Sequence, residues 1–326
     1  MPTNWQKGSE ISMKGLELSR RYYEEYGKAM IHDSFPQLEG SLAVGLFGRG
    51  SECFGYDDDI SRDHDFEPGF CIFVPGEDKV DEKTMFLLER AYSKLPREFE
   101  GYSRPVMGPV GGKRHGVFRA TDFFFDLTGS PDGVLSDQEW LEIADRTLRE
   151  ATNGEVFRDD SGLVKTVRER LVSMPRDILL KRLAGSLITA AQAGQYNYPR
   201  CLKRGEFGAA MMALSRFCEA AMRSIFILNR RYMPYYKWSL KALRDLPKLS
   251  FTGELFEFLL TGENSPEGTA KKMETVETLC RLICEELREQ DMTKRNDDNL
   301  ENQAYAVNDR IADNTIRNLD IFAGAE

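Results

Sequence analysis

A short motif framed by two apolar runs constrains this chain most. The run 42–47 leads into Gly48-Arg49-Gly50-Ser51; eleven residues later comes Asp63-His64-Asp65, and a second apolar run covers 70–74. Short apolar runs bounded by glycine and charged residues read as buried strands. Side chains two apart on a strand share a face. Asp63 and Asp65 are therefore expected to project together, with His64 on the opposite side. Two ionised carboxylates this close repel each other unless positive charge lies between them. A divalent cation relieves that repulsion, and oxygen-only donors with an open position suit Mg²⁺ or Mn²⁺. A small-residue turn upstream can bring backbone N–H groups against phosphate. The parts together describe a site for a metal-bound nucleoside triphosphate. Asp63 and Asp65 are its metal-binding and catalytic candidates, and Gly48, Arg49, Gly50 and Ser51 its phosphate-binding candidates.

Other phosphate and metal motifs fail here on spacing. A dinucleotide fingerprint needs a third glycine where Cys53 stands, and no Gly-Lys-Ser/Thr triplet of a P-loop occurs in this region. An EF-hand starting at Asp57 would have Arg62 at its turn glycine and Pro68 at its bidentate glutamate. Asp57-Asp58-Asp59 reads instead as a solvated acidic turn. Asp63 and Asp65 differ, because Phe66, Phe70, Ile72 and Phe73 imply burial nearby, where unpaired carboxylates are costly.

This arrangement resembles the nucleotidyltransferase superfamily of DNA polymerase β, the aminoglycoside and lincosamide nucleotidyltransferases and the tRNA end-adding enzymes. Its signature is an apolar strand, Gly-Ser or Gly-Gly, about ten residues, then Asp-x-Asp. Gly50-Ser51 and Asp63-His64-Asp65 match it, and the longer wording from Gly48 to Asp65 looks like a bacterial subgroup. The resemblance implies an α+β fold: an N-terminal nucleotidyltransferase-type mixed sheet with helices, then an all-α C-terminal domain. The superfamily usually carries a third carboxylate on its third strand. Residues 114–120 offer none, and the nearest acid, Asp122, reads either as that carboxylate or as a helix N-cap.

The pattern along the chain fits two domains. Helix is expected at 10–33, strand at 42–47, a short helix capped by Ser51, strand at 64–74, helix at 80–96 and a third strand at 114–120. Ser136-Asp137-Gln138-Glu139 has the form of a capping box. The polar stretch 155–162 suggests a junction, giving a catalytic domain over 1–155 and a helical substrate- and nucleotide-closing domain over 156–326. Helices are expected at 163–194, 206–231, 236–245, 251–261 and 267–292, with a tail that docks as a helix.

In the helical half, Arg204-Gly205-Glu206 and Lys237-Trp238 are similar to the second domain of antibiotic nucleotidyltransferases. In those relatives this domain supplies cations to the triphosphate, which makes Arg200, Lys203, Arg204 and Lys237 nucleotide-binding candidates here. A solvated basic turn and a lysine beside a packed tryptophan account for the same residues. Tyr196, Tyr198, Tyr235 and Tyr236 suit stacking on a base or sugar, or plain packing. His115, beside Lys113 and Arg114, suits phosphate or a structural place.

A net charge of −9 over 326 residues disfavours bulk nucleic-acid binding. No stretch reads as a signal peptide or a membrane span, and six scattered cysteines suit a reduced, cytoplasmic protein. Cys280 and Cys284, one helical turn apart with no nearby histidine, do not suggest zinc. The expected reaction moves a nucleoside monophosphate from an NTP to a hydroxyl of a small-molecule acceptor, releasing pyrophosphate. The alternatives are a nucleotide-binding regulator that has lost turnover, and nucleotidylation of a protein or a tRNA end.

Overall fold

A computed structural model of the chain describes residues 13–60, 67–104 and 114–325. The chain forms two compact units, Met1–Val134 with Glu150–Leu171, and Leu135–Arg149 with Val172–Glu326. The architecture is mixed α and β, with a small mixed sheet and many helices.

In the first unit the strands are β1 (Ala43–Leu46), β2 (Cys71–Val74), β3 (Glu98–Phe99), β4 (Tyr102–Ser103), β5 (Gly116–Arg119) and β6 (Glu155–Asp159). Its helices are α1 (Gly15–Tyr22), α2 (Lys28–Ser34), α3 (Glu82–Ser93) and α4 (Ala120–Thr128), with α7 (Lys165–Val172) reaching its end. A π-helical turn, Tyr23–Gly27, joins α1 to α2. The main sheet runs β5-β2-β1-β6. β1 is antiparallel to both neighbours, while β2 and β5 are parallel. A parallel pair needs a long crossover, and this one carries α3 and the small β3–β4 hairpin.

Both sheet faces are covered, which explains why β1 and β2 read as unbroken apolar runs. Val44, Ile72, Val74 and Val117 share one core with Tyr22, Tyr23, Ile31, Leu88 and Tyr92. Phe73 turns the other way, stacking 4.7 Å from Phe47 and meeting Phe123 of α4 edge-on at 5.1 Å. β2 starts later than expected, at Cys71. Pro68 has no N–H for a ladder, and Gly69 lies against the His115 ring.

The expected junction at 155/156 is corrected. Residues 155–159 form strand β6 against β1, with a register shift between Val44 and Gly45. Three of its five residues are charged, which hid it from a hydrophobic pattern. It is an edge strand, half-buried throughout; Arg158 pairs with Glu39 at 2.6 Å, and Glu155 with Arg20. Asp159 ends the strand by accepting the amides of Leu163, Val164 and Lys165.

The second unit contains α5 (Asp137–Glu142), α6 (Asp145–Thr152), α8 (Arg176–Ala190), α9 (Tyr198–Lys203), α10 (Phe207–Leu228), α11 (Tyr236–Arg244), α12 (Gly253–Thr261), α13 (Pro266–Glu289), α14 (Leu300–Asn308) and α15 (Asn314–Arg317). The division of the chain falls within α6, and no strand occurs among its described residues. The capping box forms at α5 as expected, Ser136 and Glu139 satisfying each other's backbone. The helix expected over 163–194 is broken: α7 ends at Val172 and Pro175 opens α8. The residue before a proline is steered away from helix. Every residue from Ile178 to Ala190 is buried, so α8 is the central helix, with α10 and α14 packed on it.

Candidate functional site

The turn after β1 is built from both glycines of the motif. Gly48 has φ +112° and Gly50 φ +120°, a backbone open to glycine and strained for other residues. Asn153, 5% exposed, holds Gly48 from both sides. The Gly48 amide donates to Asn153 Oδ1 at 2.9 Å, and Asn153 Nδ2 donates to the Gly48 carbonyl at 2.8 Å. Arg168 donates to the carbonyls of Thr152 and Asn153 and lies 4.8 Å over the Phe47 ring. Burial pushes its guanidinium down to about 10. The Gly154 amide closes the contact on Cys53 O at 2.8 Å.

Ser51 starts a 3₁₀ turn, Glu52–Phe54, which ends at Gly55 with φ +69°. The helix start falls where expected, but Ser51 caps it with no side-chain hydrogen bond. The carbonyls of Gly48, Arg49 and Ser51 each accept from a protein donor: Asn153, Arg114, and the amides of Phe54 and Tyr56. Those negative dipole ends are thus neutralised within the protein.

This turn forms one wall of a cleft of about 640 Å³, whose other walls are β5 and α4. Arg49 is exposed, with Nε 3.6 Å from Glu150. Arg114 pairs with Glu52 at 3.3 Å. Arg119 is tied down by the carbonyls of Pro75 and Val80 and by Glu82, so it anchors β5. Asp122 is not the N-cap of α4; Arg119 holds that position, and Asp122 lies in the first turn. Asp122 and Asp126, four residues apart on α4, both line the cleft and are exposed. The cleft therefore carries arginine and aspartate side chains together, and among the described residues no group of three or more His, Cys, Asp or Glu is placed to hold a metal ion.

Asp63, His64 and Asp65 lie outside the described residues, as does Lys113. His115 is held by Glu67 at 3.1 Å and is nearly buried. Asp57 departs from the solvated turn expected for it. It is 2% exposed and accepts the Gly15 amide at 2.9 Å, with Lys14 at 3.8 Å. The free N–H groups at the start of α1 draw the carboxylate inward. Asp58 and Asp59 are exposed, as expected.

The remaining candidates belong to the helical unit. Arg200 and Lys203 lie on α9, Arg204 follows it, and Gly205 turns the chain with φ +75°. All three cations are exposed, and Arg200 sits 4.5 Å over the Tyr196 ring. Lys237 is exposed at the start of α11, 4.9 Å over Trp238. Tyr198 is fully buried and serves packing, whereas Tyr196, Tyr235 and Tyr236 are exposed. Asn153, Arg168 and Asp126 escaped the sequence reading. Only Asn153-Gly154, a turn dipeptide, left a local signal.

These features define an α+β protein of two units, with a glycine turn opening on a charged cleft in the sheet unit. Residues 140–239 match a family model described as Domain of unknown function (DUF4037). That span runs from α5 to the start of α11. No curated protein matches the chain. No helix among the described residues is long and apolar enough to cross a membrane.

Proposed function

We propose that this protein is a metal-dependent nucleotidyltransferase with the superfamily's fold, transferring a nucleoside monophosphate to a hydroxyl of a small molecule. The observation that carries this reading is the cleft at the end of β1. Gly48, Arg49 and Arg114 share it with Asp122 and Asp126, and Gly50 belongs to the same turn, against Arg114 and Glu52. Glycines there let a backbone approach phosphate closely. Arginine forks match phosphate oxygens.

The oxygen-only carboxylates of the cleft suit a hard cation. In this reading Asp63 and Asp65 hold Mg²⁺ or Mn²⁺, which supplies neutralisation of the triphosphate charge. Gly48, Gly50 and Ser51 cradle the β- and γ-phosphates, while Arg49 and Arg114 balance their charge. Asp122 accepts the proton of the acceptor hydroxyl as its oxygen attacks the α-phosphorus. The bond from the α-phosphorus to the bridging oxygen then breaks, and pyrophosphate leaves with the electron pair. Arg200, Lys203, Arg204 and Lys237 are the further phosphate-binding candidates. Asp122 in the cleft supplies the acid absent from 114–120, which favours turnover over nucleotide binding alone.

Calorimetric titration with ATP, CTP, GTP and UTP, with and without Mg²⁺, tests the reading. One nucleotide should bind with metal and fail to bind the Asp63→Asn/Asp65→Asn variant. Unchanged binding and pyrophosphate release in that variant would sink the proposal. Asp122→Asn should keep nucleotide binding while transfer falls about 10²- to 10⁴-fold.

A further inference from the structure

A second pocket, of about 720 Å³, lies wholly within the helical unit. Its size is that of a small-molecule site. The walls come from the start of α6, one side of α10, the segment before α11 and Leu260 of α12. Met222, Met233, Leu240 and Leu260 make much of the surface apolar. Beside Thr189, Ser215, Arg216 and Ser239, two polar features stand out in it.

The first is positive charge. Arg146 lines the pocket and is exposed. Behind it, the Asp145 carboxylate is already engaged by two guanidiniums, Arg182 Nη2 at 2.8 Å and Arg223 Nε at 2.6 Å. These three groups are all more than nine-tenths buried and sum to one positive charge. Asp145 therefore does not compete for Arg146, and among the described residues Glu219 is the remaining carboxylate on the wall. The second feature is an aromatic rim. Tyr235 and Tyr236 stand 4.2 Å apart between ring centroids, 42% and 75% exposed. Their mutual hydrogen bond pushes the Tyr235 phenol up, and the nearby Arg146 pulls it down. Arg146, Tyr235 and Tyr236 all line this one pocket.

We infer that this pocket binds a small aromatic anion. The flat ring lies against Tyr235 and Tyr236 over the apolar floor, and its carboxylate or phosphate meets Arg146. All of the lining except Leu240, Leu260 and Ala325 falls within the span 140–239 that matches a family model. This inference stands apart from nucleotidyl transfer, whose cleft belongs to the other unit.

Saturation-transfer NMR on the full chain tests it, with 4-hydroxybenzoate and phenyl phosphate as probes and benzyl alcohol and benzylamine as controls. Both anions should bind at millimolar concentration or below, at least about tenfold tighter than the neutral and cationic controls. The tighter of the two identifies the head group. Arg146→Gln should bring the anions to the level of benzyl alcohol. Tyr236→Ala should weaken the anions about tenfold through lost stacking. Both residues are exposed, so the variants should melt like the parent chain, and Asp63→Asn/Asp65→Asn should bind the probes normally. Absence of binding by either anion overturns the inference. So does equal binding of benzyl alcohol, or binding unchanged in both variants.

Discussion

Asn153 is the residue on which the shape of the glycine turn depends. Its Oδ1 accepts from the Gly48 amide while its Nδ2 donates to the Gly48 carbonyl, a two-atom bridge that a single hydroxyl or an aliphatic side chain does not reproduce. Asn153→Ala leaves a buried amide and a buried carbonyl without partners, at a cost of about 2 to 4 kcal/mol. Urea unfolding should show that loss as a lower midpoint with an unchanged slope. If the proposed function holds, nucleotide affinity should fall further than stability alone accounts for, because the turn itself relaxes.

At the scale of the element, β6 is held by the absence of a side chain opposite it. A Cβ on Gly45 would stand 2.5 Å from the Glu155 carbonyl and 3.0 Å from Val156 Cα. Both neighbours are backbone, so the strand itself must move. Gly45→Ala should therefore cost about 1 to 3 kcal/mol. Hydrogen exchange should speed up in β6 and in the Asn153 contact while α10 stays protected. Equal exchange in both regions would count against this view of the strand.

For the whole molecule, the chain crosses between its units three times, and the sheet unit is finished only by residues 150–171. β6, Asp159 and Arg168 all come from that return segment. A fragment ending at residue 155 lacks the edge strand and exposes one side of β1. It should aggregate or show poor NMR dispersion. Extension through residue 172 should restore cooperative melting, and equal behaviour of the two fragments would refute the assignment.

The glycine turn, the apolar strands and most helix positions were legible because each rests on local chemistry. Glycine alone tolerates the φ of positions 48 and 50, a doubly covered strand must be apolar, and Ser136 with Glu139 caps α5 within four residues. Pro175 was equally local, and reading it as a break would have divided 163–194 correctly. β6, the burial of Asp57 and the partnership of Asn153 with Gly48 were not legible. Each depends on a residue dozens of positions away, and local pattern holds no trace of such pairing. Asp122 shows the division most clearly. Its sequence position permits an N-cap or a site residue alike; the direction in which β5 hands the chain to α4 sets it in the first turn, facing the cleft. By itself the sequence determined which short runs are buried strands and where the glycine turn falls. Tertiary structure alone decided which of them meet, because long-range packing selects among conformations that local energies leave nearly equal.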